Sequence, residues 1–159
     1  MDQRVPMTPH GYEALKAELH RLKTVERPAN IRDIEEALAH GDLSENAEYH
    51  AAKEKQAHLA GRIAMLDDKI ARAQIIDSRG QDGDRVRFGA TVVLIDIETE
   101  DRVAYTIVGE DEADAKRGMI SVTSPVAQAL MSKEAGDEVA VKVPKGLREL
   151  EIVEIRFEF

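Results

Sequence analysis

The stretch GDLSENAEY, residues 41–49, separates two long helical patterns and decides how the first half of the chain folds. On both sides of it, apolar residues recur at steps of three and four, as in the seam of a coiled coil. A short connection between two helices makes them antiparallel neighbours. The stretch therefore predicts an antiparallel helical hairpin and would lie at its far tip. Each arm would be roughly 45 Å long at about 1.5 Å per residue.

The two arms of the predicted hairpin differ in regularity. The second arm keeps one seam, which consists of Tyr49, Ala52, Gln56, Leu59, Ile63, Leu66, Ile70 and Ala73. The first arm begins with an N-cap at Thr8 and a proline at Pro9. Its apolar positions are Tyr12, Leu15, Leu19 and Leu22, and then, out of register, Ile31, Ile34 and Leu38. Because proline removes a backbone hydrogen bond, we expect a bend near Arg27 and Pro28.

Beyond residue 77 the apolar period changes from helical to two, which is typical of strands. The predicted strands are residues 85–88, 91–95, 103–108, 120–122, 139–143 and 150–157, and Ser124-Pro125 opens a short helix among them. The chain thus divides into a hairpin (1–77), a linker (78–84) and a small, mostly antiparallel domain (85–159). The predicted fold class is α+β.

Composition limits what the chain can bind. The 159 residues carry a net charge of −9, contain no Cys and no Trp, and are 4% aromatic. An acidic surface repels a phosphate backbone, so contact with RNA or DNA should need a partner. The absence of Cys excludes disulfides, zinc-thiolate sites and thiol nucleophiles. Since no apolar run reaches the length of a membrane span or a signal peptide, we expect a cytoplasmic protein that does not contact membranes.

Three carboxylates, Asp42, Glu45 and Glu48, lie within seven positions at the predicted tip. One interpretation is helix capping, in which Gly41 ends the first helix, Asp42 or Ser44 caps the second, and Asp42 and Glu45 have capping-box spacing. The other is chemical, because carboxylate oxygens are the ligands that Mg²⁺ prefers, often alongside water and phosphates. Capping does not account for a third acid. Both interpretations can hold together.

Several segments resemble a known family along nearly the whole chain. GDLSENAEYHAAKEKQ followed by GRI is similar to the tip and second helix of the bacterial Gre transcript-cleavage factors, most closely their GreA branch. The same order and spacing are found in VPMTPHGYEALKAEL, FGATVVL, YTIVGEDEAD and ISVTSPVAQALMSKEAGDEVAVKVP. The resemblance implies a coiled-coil hairpin followed by an FKBP-like domain, and a function in transcription elongation.

The resemblance also implies a mechanism and its residues. Gre factors bind DNA-directed RNA polymerase, insert the hairpin through its secondary channel and stimulate the polymerase's own cleavage of nascent RNA in backtracked complexes. Asp42 and Glu45 match the tip acids that help hold a second Mg²⁺, which is shared with the polymerase. Lys53 matches a basic position that faces the RNA 3′ end within the complex, although it also fits a solvated helix face. Leu38 departs from a basic residue that some relatives carry there.

In this interpretation the chain is an activator and not itself an enzyme, and we expect a monomer. The FKBP-like domain would dock on the polymerase, with the loop GEDEAD and the segment SPVAQALM as candidate contacts. An acidic loop is also often only solvated, and SPVAQALM also fits a core helix. Two alternatives stay open: a Gre-like inhibitor that enters the same channel, and a generic coiled-coil interaction module.

Overall fold

The computed structural model describes residues 3–41, 45–81 and 83–159. They form two compact units, one of Gln3 with Tyr12–Ala73 and the other of Arg4–Gly11 with Gln74–Phe159. The predicted fold class, an α+β chain with a helical hairpin and a small sheet domain, is confirmed. Among the described residues, no helix has both the length and the apolar character needed to cross a membrane.

The hairpin consists of a segmented arm and a single long helix. Its helical segments are α1 (Pro9–Arg21), a π-helical turn (Leu22–Glu26), α2 (Arg27–Ala39) and α3 (Ala47–Ala71). The predicted N-cap is confirmed, because the Gly11 N–H donates to Thr8 Oγ1 at 3.1 Å and Pro9 is the first helical residue. The 25 residues of α3 span roughly 38 Å.

We expected a bend near Arg27 and Pro28, and the structure has a π-helical turn, Leu22–Glu26, directly before them. There the Arg27 N–H bonds the Leu22 carbonyl. Pro28 has no N–H, so it cannot donate to the carbonyl one turn before it. The preceding turn is wider than an α-helical turn, and the helix continues past Pro28. The Thr24 hydroxyl donates to the His20 carbonyl at 2.8 Å and supports this turn.

The π-helical turn also corrects the predicted seam. From Tyr12 onward, the buried positions of the first arm are Leu15, Leu22, Asn30 and Ala37, spaced by seven, eight and seven residues. A π turn adds one residue to a helix, which accounts for the step of eight. Ile31 and Leu38, which we expected in the seam, are each 45% exposed.

The second arm keeps most of its predicted seam. Ala52, Ile63 and Leu66 are buried, and Tyr49, Leu59 and Ile70 are half-buried. Gln56 is exposed, contrary to prediction, and its side chain bonds Lys53 at the surface.

The second unit is built on a five-stranded mixed sheet of spatial order β5-β4-β3-β7-β6. The strands are β3 (Thr91–Asp96), β4 (Arg102–Val108), β5 (Met119–Ser121), β6 (Glu138–Val143) and β7 (Gly146–Arg156). All pairings are antiparallel except that of β4 with β5, which is parallel. Two short strands, β1 (Val5–Met7) and β2 (Ala73–Ile75), form a separate sheet.

One face of the five-stranded sheet and the short helix α4 (Pro125–Leu130) enclose the apolar core. Leu94, Ile107, Leu130, Leu150 and Ile152 are fully buried there. The Ala127 N–H donates to Ser124 Oγ at 3.3 Å, so the predicted start of this helix is confirmed.

Two predicted strands need correction. Residues 85–88 form only an isolated bridge, from Arg85 to Glu134, because the backbone of Val86 bonds the turn that follows α4. The last strand begins at Gly146 and not at Leu150. Gly146 pairs with Val143 in a tight hairpin, at a φ of +128° that favours glycine.

Candidate functional site at the hairpin tip

The tip is the connection between α2 and α3. At its start, His40 is the C-cap of α2 and Gly41 follows with a φ of +86°. The Gly41 N–H bonds the Leu38 carbonyl at 3.2 Å, so the prediction that Gly41 ends the first helix is confirmed. Asp42, the first predicted metal ligand, lies outside the described residues, as does Ser44.

The N-cap of α3 is Asn46, and neither Asp42 nor Ser44 occupies that position. Asn46 Oδ1 accepts the N–H of Tyr49 at 3.0 Å. Its Nδ2 donates to the Ala37 carbonyl at 2.6 Å, in the last turn of α2. The predicted capping role of Asp42 or Ser44 is therefore wrong, because the helix starts later than the predicted capping box requires.

Glu45, the second predicted ligand, stands directly before this N-cap and is exposed to solvent. Since Asn46 already caps the helix, capping does not occupy the Glu45 carboxylate. Its two hard, anionic oxygens at an exposed position fit a cation such as Mg²⁺.

The third carboxylate of the tip has a different setting. Glu48 lies in the first turn of α3, where a negative charge is favoured by the helix dipole. Its Oε2 lies 3.3 Å from His40 Nδ1, across the connection. Both side chains of this pair are largely exposed, so the contact restrains Glu48 only weakly, and Glu45 is exposed as well.

No group of three or more His, Asp or Glu side chains in the described part of the chain could hold a metal ion by itself. His50, whose sequence neighbourhood is acidic, packs edge-on against the Tyr49 ring at 5.7 Å between centroids.

Lys53 lies on α3 about 10 Å along the helix from the N-cap. It is exposed, and its Nζ donates to Gln56 Oε1 at 2.7 Å. It borders a groove of about 680 Å³ between α2 and α3, whose other lining residues include Arg27, Asn30 and Ile31. Lys55, two residues on, borders a different groove together with Asp33 and Glu36. Lys53 therefore shares its groove with a second basic side chain, that of Arg27, and with the carboxylate of Asp67.

The candidate docking segments of the second unit have mainly structural roles. In the loop GEDEAD, the Glu112 carboxylate accepts hydrogen bonds from the backbone N–H groups of Thr8 and Gly109, each at 3.0 Å, and from the Thr8 hydroxyl. In SPVAQALM, Ala127 and Leu130 are fully buried. The interpretation of this segment as core is therefore confirmed.

Sequence reasoning missed the double role of Asn46 and the buried amide of Asn30, whose Nδ2 donates to the Ala52 carbonyl at 2.9 Å. The signal that could have found Asn30 is its spacing. It lies on the same side of the helix as Leu15 and Leu22 once the extra residue of the π turn is counted. For Asn46 the signal is its position directly before a long helical pattern.

Comparisons with known proteins agree on one family. Residues 5–75 match the family model described as transcription elongation factor, N-terminal, and residues 81–157 match the one described as transcription elongation factor, GreA/GreB, C-terminal. The chain is 58% identical over 156 residues to transcription elongation factor GreA of Hyphomonas neptunium, with 98% of this chain and 99% of the relative covered. It is 59% identical over 155 residues to GreA of Anaeromyxobacter sp., with 98% and 93% covered.

Solved structures of lower similarity were also found. The crystal structure of GreA factor homolog 1 (Gfh1) of Thermus thermophilus is 29% identical, with a TM-score of 0.43 and coverage of 97% of this chain and 99% of that one. A prokaryotic elongation factor GreA/GreB from Nitrosomonas europaea is 20% identical, with a TM-score of 0.44 and coverage of 98% and 99%.

Proposed function

We propose that this chain, which belongs to the GreA/GreB family of transcription elongation factors, completes a metal site in RNA polymerase with its tip. By completing that site it would stimulate cleavage of nascent RNA. The predicted family and the predicted function as an elongation factor are confirmed by the two family models and the GreA relatives. The partner, the site residues and the mechanism are the proposal.

One observation carries this proposal: the helix at the tip is capped by Asn46, and Glu45 is left exposed. A carboxylate that stabilises the fold accepts hydrogen bonds or caps a helix. Glu112 in the second unit is an example, because it accepts hydrogen bonds from the N–H groups of Thr8 and Gly109. Glu45 precedes a helix of 25 residues, roughly 38 Å long, which can carry a side chain deep into a channel. An exposed carboxylate at the end of such a rod is suited to act inside another macromolecule.

Glu45 and, from the sequence, Asp42 would hold Mg²⁺ jointly with carboxylates of the polymerase. When bound, the ion lowers the pKa of a water molecule and stabilises charge on the attacking and leaving oxygens of the phosphodiester. The chain itself supplies oxygen ligands and their position, and it contributes no nucleophile. It is therefore an activator in this scheme, and the reaction belongs to the polymerase.

Lys53 has the position and charge to face RNA. It is exposed and shares a groove with Arg27, so two cations border one surface of the hairpin. A phosphate backbone is attracted by such cations, which offset the net charge of −9 locally. In the proposed complex Lys53 lies about 10 Å behind the tip and contacts the displaced 3′ end of the RNA.

The second unit supplies the docking contact with polymerase, and one copy of the chain acts per polymerase. In its acidic loop Glu110 is exposed to solvent, whereas Glu112 is bonded within the unit.

The experiment is RNA cleavage by purified polymerase stalled in a backtracked complex, with and without this protein. An activator releases short 3′ fragments faster and allows elongation to resume. A chain that binds polymerase but slows both cleavage and elongation would be an inhibitor of the same channel. A chain with no effect on either would be a generic interaction module, and both results would overturn the proposal.

A further inference from the structure

The side chain of Asn46 joins the two helix ends that flank the tip. Its oxygen accepts the N–H of Tyr49 in the first turn of α3, and its nitrogen donates to the carbonyl of Ala37 in the last turn of α2. The second bond, at 2.6 Å, crosses from one arm of the hairpin to the other. One amide thus closes the connection of residues 41–45 at its base.

A second asparagine makes the reciprocal contact farther from the tip. Asn30 of α2 is 1% exposed, and its Nδ2 donates to the carbonyl of Ala52 in α3 at 2.9 Å. The amides can reach backbone carbonyls because the facing residues, Ala37 and Ala52, are small and buried. A slide of one arm by a helical turn, about 5.4 Å, would break both bonds. A buried asparagine in a helix seam is a known means of fixing register.

We propose that Asn46 is the positioning residue of the tip, which holds Glu45 in place by tying α3 to the Ala37 carbonyl. The inference rests on the proposed function, since it assigns Asn46 a role in placing the carboxylate that acts in polymerase. Adjacent Cα atoms lie about 3.8 Å apart across a trans peptide, so fixing Asn46 confines the backbone of Glu45. Asn46 itself does not touch the reacting atoms.

The two ends of the amide separate positioning from capping. The oxygen is a cap, and Ser or Asp can replace it at little cost. The nitrogen is the donor to Ala37, and neither Ser nor Asp can replace it, because Ser is too short to reach across and a carboxylate has no proton to donate. Asn46→Ser and Asn46→Asp therefore keep the helix start and lose the bond between the arms.

The first readout needs no polymerase. In the free protein, hydrogen exchange of the Gly41 amide, which bonds Leu38 beside the tip, should accelerate ~10-fold in both variants as the base of the connection opens. Exchange in the middle of α3 should stay at the parent rate. Circular dichroism should show the same helix content as the parent.

The second readout is cleavage in backtracked complexes at saturating factor. Both variants should bind polymerase within about twofold of the parent and cleave ~10- to 100-fold more slowly, the range expected when a catalytic group is displaced by about 1 Å. Leu15→Ala, which loosens the buried base of the hairpin, is the matched control for general destabilisation. Assayed below its melting temperature, it should cleave at the parent rate.

Glu45→Gln in the same assay separates the two proposals. If Glu45→Gln is impaired while Asn46→Ser and Asn46→Asp cleave and exchange like the parent, Asn46 is only a cap and the positioning role is overturned. If Glu45→Gln cleaves like the parent, the proposed function fails and the positioning role fails with it. If Leu15→Ala cleaves as slowly as the Asn46 variants, their defect is general loosening, which also overturns the inference.

Discussion

Gly41 and Gly61 show how one residue type serves two purposes in the hairpin. Gly41 has a φ of +86°, a conformation that L side chains rarely adopt, directly after the C-cap of α2. Gly61 lies inside α3 and is exposed. A Cβ added at either position would meet no atom within 4 Å, so backbone conformation alone decides the effect of a substitution.

We therefore expect Gly41→Ala and Gly61→Ala to change stability in opposite directions. Gly41→Ala should cost about 1 kcal/mol, because alanine is strained in the left-handed region. Gly61→Ala should add roughly 0.5–1 kcal/mol, because alanine loses less backbone entropy in a helix. Denaturant unfolding followed by circular dichroism measures both, and equal effects of the two changes would contradict this reading of Gly41.

The tip should bind Mg²⁺ weakly in the free protein. Two carboxylates leave most of the octahedral shell of the ion to water, and the described residues offer no cluster of three or more ligands. Calorimetric titration of the isolated chain should give no saturable binding below millimolar Mg²⁺. Micromolar binding that is lost in Glu45→Gln would show that the chain holds the ion unaided.

Only part of this site could be predicted at the residue scale. The acids, their spacing and the helix stop at Gly41 are local features that the sequence contains. The cap was assigned wrongly because Asp42, Ser44 and Asn46 are all good capping residues, and which of them caps depends on where α3 starts. Asn46, the residue that caps it, also bonds the Ala37 carbonyl, a contact between residues nine apart that local pattern does not reveal.

At the element scale, the two arms are joined by polar contacts as well as by the seam. Arg62 of α3 donates to both carboxylate oxygens of Glu18 in α1, each at 2.8 Å. The hydrogen bond from Arg62 is the main reason that the pKa of Glu18 lies below its ordinary value of 4.5. A carboxyl group with a lowered folded-state pKa stabilises the fold above that ordinary value, and it loses this effect as the pH falls through the lowered value.

Glu18→Gln should therefore destabilise the hairpin in a pH-dependent way. At pH 7 the cost should be on the order of 0.5 kcal/mol, since both side chains keep some solvent contact. Below the ordinary pKa of 4.5 the difference from the parent should shrink. Unfolding of parent and variant at pH 7 and pH 3 measures this. Glu13→Gln, which removes a highly exposed partner of Lys16, is the control and should show a smaller change at both pH values.

The arrangement of elements was more predictable than the register within them. Helices, strands and the hairpin follow from periods that are visible in the sequence. The π-helical turn was not predicted, because Leu22–Glu26 has no composition that marks it. By adding one residue, that turn buries Asn30 and Ala37 and leaves the more hydrophobic Ile31 and Leu38 exposed. Packing geometry here overrides hydrophobicity.

At the scale of the whole molecule, the chain changes unit three times, after Gln3, after Gly11 and after Ala73. The segment Arg4–Gly11 belongs to the sheet unit, although the hairpin follows it directly. The Met7 carbonyl accepts the Ile76 N–H at 2.9 Å, and Thr8 bonds Glu112. A single boundary at residue 77 cannot assign Arg4–Gly11 to the sheet unit. The residues that this segment bonds, Ile76 and Glu112, lie more than 60 residues farther along the sequence.

Cutting the chain after residue 77 should affect the two pieces differently. Residues 1–77 should stay largely helical by circular dichroism, because the seam lies wholly within them. Residues 78–159 should carry most of the affinity for polymerase but melt at a lower temperature than in the full chain, because Glu112 loses its Thr8 donors. A peptide of residues 3–11 added in excess should raise that melting temperature through binding to the folded form. No response to the peptide would contradict the assignment of this segment.

The central claim is that the tip acids act in chemistry and not in folding, and Glu45→Gln with Asp42→Asn tests it most directly. Melting temperature, polymerase affinity and RNA cleavage are measured on the same preparations. Because a neutral amide lacks the charge that holds Mg²⁺, cleavage should fall by at least ~10²-fold, equivalent to ~2.7 kcal/mol, while melting temperature and affinity stay at the parent values. Each variant should then compete with the parent for polymerase. Cleavage at near-parent rates in both variants, with stability unchanged, would contradict the account.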